Sequence, residues 1–92
     1  MKHPNKLYKS IDIWKRMGNG SVVRFRCFEI LGENQFCVQS ADFFHLPIDE
    51  KQMKYLDNHY IELFIEDAPD ERSDTYPSLE EAIAAHEIIF FS

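Results

Sequence analysis

Apolar positions change their spacing several times along the chain, and each change marks the boundary of an expected element. Over residues 7–17 (LYKSIDIWKRM), Leu7, Ile11, Trp14 and Met17 recur at intervals of three and four, the spacing of one helical face. Gly18-Asn19-Gly20 behind them accepts the positive φ that ends a helix and opens a turn. The spacing predicts a short amphipathic helix with Lys9, Lys15 and Arg16 on its wet side. From Val22 the pattern becomes continuous and rich in β-branched and aromatic residues (VVRFRCFEIL), pauses at Gly32-Glu33-Asn34-Gln35, and resumes as FCVQSADFF. Two such runs around a short turn containing Gly and Asn read as a β-hairpin.

With a loop at 32–35, Leu31 opposes Phe36, Cys27 opposes Ser40 and Ile30 opposes Cys37. One face then collects Val23, Phe25, Cys27, Leu31, Phe36 and Val38 and is core. The other mixes Arg24, Arg26 and Gln39 with Phe28, Ile30, Cys37, Ala41 and Phe43 and is half wet. The two cysteines fall on opposite faces, so both thiols are expected to stay free.

Pro47 followed by IDEKQMKYLDNH predicts a short helix with acids in its first turn, where the macrodipole favours them. YIELFIED fits two templates. A continued helix aligns Met53, Leu56, Tyr60 and Leu63, whereas a strand alternates Ile61, Leu63 and Ile65 with Glu62 and Glu66; the alternation favours a strand. The stretch 67–78 (DAPDERSDTYPS) is a solvated loop. Ser78 with Glu81 three residues on is a capping box, and Leu79, Ala82, Ile83 and His86 form the buried stripe of the helix behind it. The tail IIFFS continues that helix or leaves it as a strand. The expected fold class is therefore α+β: a small antiparallel sheet, made of the hairpin and a third strand at 60–66, packed against two or three helices in a single domain of 1–92.

Composition narrows the function more by exclusion than by assignment. The 92 residues are 45% hydrophobic, 14% aromatic and 28% charged, an ordinary globular profile. The richest apolar stretch, 82–91, is broken by His86 and Glu87 and falls short of the roughly 18 apolar residues of a membrane span. The first residues carry lysines but no apolar run behind them, so no secretory leader is expected and the mature chain is expected to begin at Met1. Two cysteines without a CxxC pair point to a reducing cytoplasm. The net charge of −6 conceals an asymmetry. Residues 1–26 hold Lys2, Lys6, Lys9, Lys15, Arg16, Arg24 and Arg26 against Asp12 alone, whereas nearly all the acids lie beyond.

No arrangement of residues fixes a chemistry. His3, His45, His59 and His86 share no HxxxH or HExxH spacing, and the acids Asp67, Asp70, Glu71 and Asp74 lack the progression of a calcium loop. A nucleophilic set of Cys27, His45 and Asp42 would place its thiol mid-strand, away from any group that lowers a thiol pKa. Gly18-Asn19-Gly20-Ser21 precedes a strand and does not cradle phosphate. Arginines alternating with aromatics in VRFRCF suit nucleic acid, but the acidic remainder opposes it, and cross-strand pairing of Arg24 and Arg26 with acids such as Glu62 and Glu66 accounts for the same residues. The leading expectation is a small, cytoplasmic, non-enzymatic protein-interaction domain that forms a homodimer, uses no cofactor or metal, and does not enter a membrane. Arg24, Arg26, Phe28, Ile30 and Phe43 are its expected interaction surface. The alternatives are a nucleic-acid-associated regulator using the basic N-terminal segment, and a small-molecule sensor or enzyme whose pocket the sequence does not disclose.

Overall fold

The computed structural model describes residues 6–91. A three-stranded antiparallel meander, β1 (Tyr8–Arg16), β2 (Ser21–Ile30) and β3 (Gln35–His45), is followed by helices α1 (Glu50–Glu66), α2 (Pro69–Arg72) and α3 (Leu79–Phe91). This is the α+β fold expected, with a different third strand. The stretch 7–17, expected as a helix, instead holds the edge strand β1. Ile11 and Ile13 share a face only at period two, and β-branched and aromatic residues at 11, 13, 14 and 8 suit a pleated surface. The Gly-Asn-Gly stretch is a hairpin turn. Met17 N–H donates to the Ser21 carbonyl at 2.8 Å, Asn19 Oδ1 accepts from the Ser21 hydroxyl at 2.5 Å, and Gly20 takes φ 83°.

The expected third strand, 60–66, is the C-terminal half of α1. No Gly or Pro interrupts the chain between His59 and Glu66, so the Met53, Leu56, Tyr60, Leu63 stripe continues as one helix. Asp49 caps it by accepting from Lys51 N–H at 2.9 Å and Gln52 N–H at 3.3 Å. The expected loop at 67–78 contains α2, and Tyr76 bridges to Phe36 through two 2.8 Å backbone hydrogen bonds. Ser78 closes the expected capping box, its Oγ accepting from Glu81 N–H and donating to the Glu81 carboxylate, each at 3.1 Å. The 88–91 tail extends α3.

The central hairpin forms as expected, with a shifted register. Its loop is residues 31–34, so Ile30 opposes Gln35, and an irregularity between Arg26 and Cys27 puts Cys27 opposite Val38 and Phe28 opposite Cys37. Such a bulge exchanges the faces of the strand beyond it. Cys27 and Cys37 remain on opposite faces and both are free. Ala41 and Phe43, expected beside Arg24 and Arg26, lie on the other face, opposite Phe25 and Val23.

The sheet is covered on both sides. On one face Val23, Phe25, Cys27 and Val38 pack with Ala82 of α3, flanked by Ile11, Ile13, Leu79 and Ile83. On the other, Phe28, Ile30 and Cys37 pack with Tyr8 and Tyr60 beneath α1. Burial raises both thiol pKa values, Cys27 to about 12 and Cys37 to about 11.

Candidate interaction surface

The face expected to be half wet is the floor of a polar and aromatic layer under α1. Tyr8, Ser10, Asp12 and Trp14 of β1 stand beside Ile30, Phe28, Arg26 and Arg24 of β2, and Asp42 of β3 stands opposite Arg24. Four of the five expected surface residues, Arg24, Arg26, Phe28 and Ile30, are buried here because a 17-residue helix covers them; Phe43, on the opposite face, is 47% exposed. The five do not form one surface.

Phe28 anchors α1. It stacks on Tyr60 at 5.4 Å between centroids and on Phe64 at 5.1 Å, and meets Tyr8 edge-on at 6.2 Å. Tyr8 in turn meets Phe64 edge-on at 5.6 Å. Offset and edge-to-face arrangements of this kind contribute roughly 0.5–1.5 kcal/mol per pair beyond area burial. Tyr60 shares a 2.6 Å hydrogen bond with the Ser10 hydroxyl, and Gln39 Nε2 donates to the Tyr60 carbonyl at 3.2 Å. Burial raises the Tyr60 pKa.

The two arginines are neutralised by aspartates, not by Glu62 and Glu66, which lie on the far side of α1. Arg24 Nη2 donates to Asp42 at 3.0 Å and lies 3.7 Å from Asp57; Arg26 Nη2 donates to Asp57, with Asp12 3.9 Å and Asp42 4.0 Å from its Nε. Aromatic faces complete the enclosure. Arg24 lies 5.7 Å from the Trp14 ring and 5.0 Å from Phe44, and Arg26 lies 4.5 Å from Tyr60. Each Nε is buried without a hydrogen-bond acceptor, as is Gln39 Oε1 without a donor. Three acids against two guanidiniums leave the cluster net negative, which disfavours an anion there.

Other N-terminal cations also fold back on the acidic remainder. Lys6 pairs with Asp70 at 3.0 Å and Glu33 at 2.9 Å, and Lys15 with Glu87 at 2.8 Å. Hydrogen bonds to Glu33 and Asp70 raise the Lys6 pKa. Desolvation acts to raise the Asp70 pKa, but its bonds from Tyr8, at 2.7 Å, and Lys6 outweigh it and the pKa falls.

A cavity of about 260 Å³ opens on the α3 side, among Val38, Ser73, Tyr76, Ala82, His86 and Ile89. Burial lowers the His86 pKa, and its ring meets Phe25 edge-on at 6.2 Å. Among the described residues no three His, Cys, Asp or Glu side chains converge as a metal site, and no helix is long and apolar enough to cross a membrane.

What reaches solvent is the border of the α1 layer. Met53, Asp57, Tyr60 and Phe64 turn toward the sheet; Leu56 and Leu63 lie half-buried on one flank, where Arg72 donates to the Leu63 carbonyl at 3.4 Å. The opposite flank, above β1, carries Ile61, 55% exposed, and Ile65, 77% exposed. Phe64 is 39% exposed at the same border, and Trp14 on β1 is 54% exposed. Sequence reading missed this border because it assigned both β1 and 60–66 to the wrong element; a helical template over 50–66 is the signal that places Ile61 and Ile65 four apart on one face. Comparison with protein-family models, curated proteins and solved structures finds no match for the chain.

Proposed function

We propose that the chain is a small, non-enzymatic protein-interaction domain of the cytoplasm that works as a homodimer. The observation that carries this reading is the apolar border of Trp14, Ile61, Phe64 and Ile65, whose side chains remain exposed beside a fully formed core. Exposed apolar side chains ranged along one edge of a fold commonly mark an association site. The unlinked, buried thiols suit a reducing compartment. The ion pairs of Lys6, Lys15, Arg24 and Arg26 argue against a nucleic-acid regulator, since phosphate binding draws on cations that are not already neutralised. Light scattering at about 100 μM should report twice the chain mass, because a dimer of useful affinity dissociates far below that concentration. A monomer at that concentration contradicts the reading. Retention on heparin and an oligonucleotide gel shift at about 50 mM salt would favour the regulator instead.

A further inference from the structure

The outer edge of β1 lies beside the exposed flank of α1, since Tyr60 reaches Ser10 and Phe64 reaches Tyr8. Met17 N–H donates to Ser21 and Leu31 N–H to the Leu7 carbonyl, so odd-numbered residues of β1 direct their backbone groups to β2. Tyr8, Ser10, Asp12, Trp14 and Arg16 therefore direct theirs outward, and β1 ends the sheet with no strand beyond it among the described residues. Edge strands of this length are templates for a further strand.

We infer that a second copy of this chain pairs its β1 antiparallel to this edge about a two-fold axis through Ile11, joining the two sheets into one. This rests on the homodimer reading above. Charge and shape select the register. Pairing about Asp12 sets Asp12 against Asp12 of the second copy and, twice by symmetry, Lys9 against Lys15, three like-charge contacts. Moving the axis to Ile11 sets Asp12 against Ser10 and Lys9 against Ile13, and brings Trp14 of each copy against Tyr8 of the other; its like-charge approach, Arg16 against Lys6, falls beyond the start of β1, where Lys6 is already paired with Glu33 and Asp70.

That register also fills the exposed border. Tyr60 reaches Ser10 and Phe64 reaches Tyr8, so α1 advances along β1 and its Ile65 lies near the Tyr8 level. Trp14 of the second copy, on the face that α1 covers, lands against the exposed sides of Phe64 and Ile65. An axis through Ile13 moves Trp14 to Asp12 and leaves that flank open. Asp12 and Asp57 come near the axis, each already within 4.0 Å of Arg26 in its own copy. Lys15, which would otherwise guard the edge, is held toward α3 by Glu87.

The test combines light scattering with oxidative cross-linking. Trp14→Ser and Ile65→Ser each change an exposed side chain, and each should weaken the dimer about tenfold or more while far-UV circular dichroism is unchanged. Ser10→Pro removes an outward N–H that β2 does not use and should give a monomer; where it fails to fold, the two serine variants carry the test. Ile11→Cys should form an intersubunit disulfide, because non-hydrogen-bonded antiparallel pairs bring Cα atoms to about 4.5 Å, and Ile13→Cys should not. A dimer indifferent to both serine variants, or one cross-linked through Ile13→Cys alone, overturns this interface while leaving the homodimer; a monomeric wild type at about 100 μM overturns both.

Discussion

Phe28→Ala removes the side chain on which α1 rests. Phe28 is 4% exposed and contacts Tyr8, Tyr60 and Phe64 at centroid distances of 5.1–6.2 Å, and α1 contains no fully buried residue of its own. Truncating a buried Phe costs about 3–5 kcal/mol. Three ring partners place this site toward the upper end, at about 4.5 kcal/mol, a large share of the roughly 5–14 kcal/mol expected for a chain of this size. The assay is urea unfolding at fixed protein concentration, followed by circular dichroism, with Leu46→Ala at an exposed position as a control shifted by no more than about 0.5 kcal/mol. A loss below about 1.5 kcal/mol for Phe28→Ala with an unchanged m-value would refute the docking of α1 through this ring.

Three further outcomes follow from the same structure. Cys27 and Cys37 should resist alkylation at pH 8 until denaturant is added, and non-reducing mass measurement should show no internal disulfide; rapid labelling of the folded protein would contradict their burial. Because burial raises both thiol pKa values from 9.0, their neutral form stabilises the fold fully below pH 9, and that contribution should fade as pH rises from 9 through 11 and 12; stability that climbs over this range refutes the assignment. Asp70 has a lowered pKa, so its ionised form stabilises the fold above pH 3.8 and the stabilisation is lost as pH falls below that; Asp70→Asn should flatten the acid limb of the stability profile, and an unaltered limb would exclude the Lys6 and Tyr8 contacts as its source.

The hairpin, the capping box at Ser78 and the buried stripe of Leu79, Ala82 and Ile83 were legible because each is a local signal: β-branched runs about a Gly-containing turn, and a cap three residues from its glutamate. The errors have one physical origin. In short amphipathic segments the templates of period 2 and period 3.6 share positions, so Leu7, Ile11 and Trp14 mimic a helix within β1 and Ile61, Leu63 and Ile65 mimic a strand within α1. Tertiary pairing decides such segments: β1 is held by its hydrogen bonds to β2, and α1 by rings from two strands. The partners of Arg24 and Arg26 were beyond reach for the same reason. Asp12, Asp42 and Asp57 come from three elements, and the bulge after Arg26 that sends Phe43 to the other face carries no sequence mark.

Amide hydrogen exchange along β1 tests the proposed pairing most directly. The odd-numbered amides, directed to β2, should be protected at every concentration. Those of Ser10, Asp12 and Trp14 should be protected at about 100 μM and exchange freely on dilution below the dissociation constant, or in Ile65→Ser. Fast exchange of Ser10, Asp12 and Trp14 at every concentration, with their odd-numbered neighbours protected, would show the edge open to water and contradict the account.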